Sequence, residues 1–271
     1  MKGILKEELD RAFHNPRYIL VILLALVFLA IGLYRFPATT DLAGQSMHPV
    51  NRLILNLEYG EFGFLAALLA TLPFADSFLD DLNQGFLRQI VQRVPYRKYQ
   101  AAKIISVALA GGISLVIVVM MVFLIGLLGD VSWETTAYAS GYAHNPTEPV
   151  GPLGSLYTLN PVYYLFYILL SAFGFGATQA LMGLAFSTVI HNRYVVLAMP
   201  LVIVQVLDFL QTRALHVTSA LNLLNGLLPF NAPSYLSSDY TVGTQLAQFG
   251  VVFFLSTVAF LMLARKQRLV L

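Results

Sequence analysis

The stretch Asp76–Lys103, DSFLDDLNQGFLRQIVQRVPYRKYQAAK, lies between two apolar runs and carries five of the chain's sixteen Lys and Arg residues: Arg88, Arg93, Arg97, Lys98 and Lys103. Leu79, Leu82, Phe86, Ile90 and Val94 recur at steps of three and four, which puts them on one face of a helix. A simple connection between membrane helices needs only a few polar residues. The spacing instead predicts an amphipathic helix over Leu79–Lys98, on the membrane face where positive charge collects. Such a segment is a lever that a cytoplasmic partner can push.

Composition on either side sets the class. Of the 271 residues, 58% are hydrophobic and 11% charged, against about 25% charged in ordinary soluble domains. Mean hydropathy is +0.72. That length suits one bundle of membrane helices and leaves no room for an added catalytic domain. The absence of cysteine excludes disulfides, thiolate metal sites and Cys nucleophiles.

A spanning helix takes roughly 20 apolar residues. Six segments qualify: Tyr18–Tyr34, Phe62–Phe78, Ile104–Leu128, Pro161–Ile190, Tyr194–Leu210 and Leu246–Ala264. The second is the poorest, broken by Pro73 and ending near Asp76. The turn His191-Asn192-Arg193 makes a hairpin of the fourth and fifth. Lys2, Lys6, Arg11, Arg17, the five basic residues of the lever, Arg193, Arg265, Lys266 and Arg268 then share one side, leaving Arg35, Arg52 and Arg213 on the other. The bias predicts both termini in the cytoplasm, with outer loops over Arg35–Glu61, Gly129–Asn160 and Gln211–Gln245; the expected location is the plasma membrane.

Within Met1–Pro16, the residues Ile4, Leu5, Leu9, Ala12 and Phe13 form an apolar stripe. It reads as a short interfacial helix, or as a solvated lead-in that anchors topology. The acidic residues Glu7, Glu8 and Asp10 argue against a cleavable signal peptide. Ala214–Leu228 is apolar but too short to span, is interrupted by Asn222 and Asn225 and is stopped by Pro229; with the turns at Pro229 and Pro233 the segment runs over Ala214–Pro233. It suits a re-entrant outer segment, or a surface loop. Gly129–Asn160, with Trp133, several tyrosines and no Lys or Arg, suits a cap over an outer exit or an interfacial linker.

Six spans, an interfacial first helix, an inner amphipathic helix after span two and a broken outer segment before span six resemble the permease of a type 2 ABC exporter. That family's inner segment has an acidic residue followed by Gly four positions on. A Pro with a basic neighbour comes about ten residues later, and a Lys opens span three. The matching residues are Asp81, Gly85, Pro95-Tyr96-Arg97 and Lys103; Leu228-Pro229 resembles the element before the last span. The resemblance implies an all-α fold and a pair of permeases, identical or paralogous, resting on two ATP-binding-cassette ATPase subunits. It assigns partner coupling to Asp81, Gly85, Phe86, Arg88, Arg93, Pro95 and Arg97. No G-x-x-x-x-G-K-[ST] loop occurs in the chain, so ATP and Mg would bind the partner.

Intramembrane polar groups supply candidates for a substrate path. Gln205 and Asp208 share one face of span five, with Asp208 equally suited to a hydrated rim or to pairing Arg213. Gln179 lies beside Gly176, Ala180 and Gly183, a track that favours close helix packing. Asp76 belongs with the lever, and Asp80 and Asp81, adjacent on a helix, diverge. The five histidines show no ligand spacing, so neither a catalytic site nor a metal is expected, and no nucleic-acid partner. Two alternatives remain: a membrane scaffold without transport activity, and an ion-coupled secondary transporter.

Overall fold

The computed structural model describes residues 2–35, 48–128, 133, 152–210, 227 and 241–270, and every regular element among them is helical. The helices are α1 (Lys2–Phe13), α2 (Arg17–Arg35), α3 (Pro49–Tyr59), α4 (Phe62–Thr71), α5 (Ser77–Asn83) and α6 (Phe86–Arg93). After them come α7 (Tyr96–Gly126), α8 (Ser155–Leu159), α9 (Pro161–Phe186), α10 (Arg193–Phe209) and α11 (Val242–Val270). Four of these, α2, α7, α9 and α11, are long and apolar enough to cross a membrane. Exposed Ile19 and Leu23 on α2, and Phe254, Leu255 and Met262 on α11, form an apolar surface far larger than soluble proteins tolerate. The chain is a helical membrane protein.

The central pair is α7 against α9. A Cβ on Gly111 would lie 2.3 Å from the Ala180 Cβ, and one on Gly176 would lie 2.4 Å from the Gly111 carbonyl oxygen. The Gly176–Ala180–Gly183 track therefore serves close packing. Around this pair, α1, α2, α3 and α4 pack on α7, while α4, α10 and α11 pack on α9. Asn160 and Asn192 cap the starts of α9 and α10 by accepting from the amides of Val162 and Tyr194.

Three expectations change. The lever is not one helix: α5 and α6 are separated at Gln84-Gly85, where Gly85 takes φ +72°, a left-handed conformation that ends a helix. Val94, in extended conformation, then ends α6, and α7 starts at Tyr96 directly after Pro95.

The second span also differs. Its helix stops at Thr71 rather than Phe78, since Pro73 cannot continue it. The expected outer loop Arg35–Glu61 holds α3, whose Val50, Asn51, Leu53, Ile54, Leu55 and Leu57 are all buried. α3 meets α4 at 86°. Its start is held by His48, whose Nδ1 accepts from the Val50 amide, and by Arg52, which donates to the Gly126 carbonyl at the end of α7. Its partner α4 leads down to Pro73, whose carbonyl accepts from Asn15 beside α1. Together they run from the far end of the bundle to the α1 end, one bent pair that hydropathy alone renders as a loop and a short span.

The third change is the span count. Six are expected and four helices qualify singly, five if the bent pair counts as one. α10, with 17 residues and Pro200 inside it, is shorter than these. The expected re-entrant segment Ala214–Pro233 and most of Gly129–Asn160 lie outside the described residues.

Candidate functional site

The apolar stripe of α1 contains one anomaly: Glu8 stands four residues after Ile4 and four before Ala12, on the same face. The stripe docks on α7, and Glu8 meets Lys103 there, with Nζ to Oε2 at 2.7 Å. The Lys103 side chain is 0% exposed and its Nζ also lies 2.6 Å from Asp81 Oδ2. Asp81 additionally accepts from Tyr99 and from Arg11, the latter at 2.8 Å, while Arg11 reaches back to Glu8 at 3.1 Å. The ammonium stands over the rings of Phe74 and Tyr99. Two acids and two bases thus form a neutral buried cluster joining α1, α5 and α7. Burial alone would raise the Asp81 carboxyl; Lys103, Tyr99 and Arg11 outweigh it and hold it below the ordinary carboxylate range.

A second neutral cluster lies on the opposite flank of α5. Asp76, fully buried, pairs with Arg17 at the start of α2 and with Arg193 at the start of α10, the latter at 3.1 Å. Asp80 lies 3.4 Å from Arg17 and 3.6 Å from Arg193. Asp80 and Asp81 do diverge, because neighbours on a helix point about 100° apart. Each takes a different cluster.

The remaining lever residues lie outward. Phe86 is 47% exposed, and Arg93, Pro95 and Arg97 are exposed. Arg88 lies mid-way along α6. Gly85 has no atom within 4 Å of where a Cβ would stand, so its need for glycine is conformational on this chain. Between α1 and α6 opens a cleft of about 400 Å³, lined by Ile4, Glu7, Glu8 and Arg11 on one side and Phe86, Gln89, Ile90 and Arg93 on the other.

The path candidates lie on α9 and α10, two helices that pack on each other. Gln205 donates to the Phe64 carbonyl at 3.2 Å, bracing α4. Asp208 is engaged with a neighbour. Gln179 is buried, and neither polar atom of its amide has a hydrogen-bond partner. No family model matches the chain, and no curated protein or solved structure is significantly similar to it.

Sequence reasoning named Asp81 and missed Glu8, Arg11, Tyr99 and Lys103 as its company, and it missed Arg17 and Arg193 as the partners of Asp76 and Asp80. The legible signal was a carboxylate inside an apolar stripe and a lysine entering an apolar span; each implies a buried counter-charge.

Proposed function

We propose that this chain is the permease subunit of a type 2 ABC exporter, working as a pair of permeases with two separate ATPase subunits that bind ATP and Mg. The order Asp81, Gly85, Pro95-Tyr96-Arg97 and Lys103 supports the reading. The observation that carries it is the anchoring of α5. Its two carboxylates and the adjacent Asp76 are ion-paired to α1, to α7 and to the starts of α2 and α10.

A segment fixed in this way transmits displacement, since dense packing shifts between discrete arrangements rather than yielding gradually. Phe86, Arg93 and Arg97, with Arg88, then meet the ATPase, while Asp81 is a positioning residue that holds α5 against α7. ATPase closure pushes α6, and the tied helices rock to release cargo outward. In this arrangement α2, the pair α3–α4, α7, α9, α10 and α11 are the six spans, and both termini lie in the cytoplasm of a plasma-membrane transporter.

The test is mild-detergent purification of the tagged chain from its native host. A stoichiometric ATP-binding subunit is expected, and Phe86→Ala with Arg93→Glu should lose that subunit while the chain keeps its thermal stability, both side chains being exposed. A preparation free of any ATP-binding subunit, under conditions that preserve a known ABC complex, overturns the reading.

A further inference from the structure

α10 is tied to α4, and to the turn after it, at three heights. At the α1 end Arg193 pairs with Asp76 at 3.1 Å. One turn further along α10, the Leu197 carbonyl accepts from the Thr71 hydroxyl at 2.9 Å, which that hydroxyl shares with the Leu68 carbonyl at 3.0 Å. Gln205 then donates to the Phe64 carbonyl at 3.2 Å. From the first tie to the last, both courses advance twelve residues in opposite directions, Asp76 to Phe64 and Arg193 to Gln205. The two segments therefore keep one antiparallel register over about 18 Å of α10.

The ties bridge a weak point. Pro200 has no N–H, so the Val196 carbonyl loses its helical donor and α10 can bend there. Arg193 and Leu197 stand before that point and Gln205 after it, so both halves of α10 are held on the same neighbour.

The seam between this pair and α9 is made differently. A Cβ on Gly183 of α9 would meet the Ala75 Cβ at 2.9 Å, the Thr71 Cγ2 at 3.3 Å and the Pro200 Cγ at 3.7 Å, all of them carbon. Gln179 stands one turn before Gly183 on the same face. It is 1% exposed, and neither Nε2 nor Oε1 has a hydrogen-bond partner among the described residues. Contact at Gly183 rests on dispersion, which a small gap forfeits, whereas the amide gains its missing partners once water enters. On its other side α9 is locked to α7 through Gly111 and Gly176, where backbones touch. The Ser114 hydroxyl of α7 lies 3.2 Å from the Leu69 carbonyl of α4 but 2.8 Å from the Gly111 carbonyl of its own helix, and its single hydrogen favours the nearer.

We propose that α4 and α10 move as one body against the α7–α9 pair, and that their departure from α9 lets water reach the Gln179 amide. The ties carry the bend-prone α10 along with α4, and the unpaired amide marks the seam that opens. The movement belongs to this chain alone and needs no ATPase.

The chain has no native cysteine, so spin labels can be placed in pairs at exposed positions of the full chain in lipid nanodiscs. Phe64→Cys with Val195→Cys spans α4 and α10; Leu170→Cys with Val195→Cys spans α9 and α10. Double electron–electron resonance should give one narrow distance for the first pair and two distances for the second. Adding Thr71→Val and Gln205→Leu should broaden the first. Separately, Gln179→Cys should react with a water-soluble methanethiosulfonate at least about tenfold faster than Val107→Cys, a fully buried position that shares a core with Ala180 and Leu184 of α9. A single narrow distance for both pairs overturns the movement, and equal broadening of both overturns the shared body. A narrow first distance that survives loss of the two ties removes their role, and equal labelling at the two positions overturns the wetting of Gln179.

Discussion

Lys103→Met keeps the unbranched stem and deletes the ammonium, which sits 2.7 Å from Glu8 and 2.6 Å from Asp81 with side-chain exposures of 0%, 4% and 0% respectively. The neutral cluster becomes an anion. Arg11, its remaining cation, is 37% exposed and already bonds both carboxylates. Removing one partner of a buried pair costs about 3–5 kcal/mol, because the other charge stays buried without compensation. The cheapest relief is to lift α1 off α7 and hydrate Glu8.

The chain has no native cysteine, so a single Ala12→Cys, at a fully buried position of α1, reports that lifting by its reaction with a water-soluble maleimide. In the Lys103→Met background, labelling should rise about a hundredfold or more. Adding Asp81→Asn restores neutrality, leaving Glu8 with Arg11, and should recover at least half of the loss in logarithmic terms. A rise below about tenfold, or no recovery in the double variant, refutes the idea that this cluster holds α1 down.

Other outcomes follow from the same geometry. Gly85→Ala should cost about 1–2 kcal/mol, the penalty for a left-handed residue bearing a Cβ. In the isolated chain, Gly85→Trp should cost no more, because nothing lies within 4 Å. A larger loss for Trp only in the presence of the ATPase would locate the partner at Gly85, and thermal denaturation with and without that subunit separates the two. Gln179→Leu should stabilise the chain by about 1–3 kcal/mol by deleting an unpaired buried amide; a fall in unfolding midpoint would refute this. The lowered carboxyl of Asp81 contributes stability that is fully present above the ordinary aspartate value of 3.8 and is lost as pH falls through the lower folded value. Protection of Ala12→Cys should therefore be flat from neutral pH down to about 4 and fail only in stronger acid.

Much of the helical layout was legible in the residues. Pro16, the His191-Asn192-Arg193 turn and the Pro95 turn mark element boundaries through local backbone chemistry, and the helices that follow them start within two residues of where they point. Gly85 was legible as special, but not as the break that divides the lever, because helical periodicity runs on through Phe86 and Ile90 and only the φ of +72° shows the division. The corner at Gly60 was illegible for another reason. α3 contains Asn51, Arg52, Asn56 and Glu58, and polar residues in a short window read as a loop; the helix is buried because α2, α7 and α9 surround it.

The sequence by itself determined what depends on neighbours a few residues away: the membrane class, the apolar runs that become the four long helices, and the divergence of Asp80 from Asp81. Hydropathy and helical phase are properties of a local window, so they need no fold to be read. Only the tertiary structure decided which charges meet. Glu8 and Lys103 are 95 residues apart and Asp76 and Arg193 are 117 apart, and a buried ion's partner is chosen by packing in three dimensions. The same packing turned Asp81 inward.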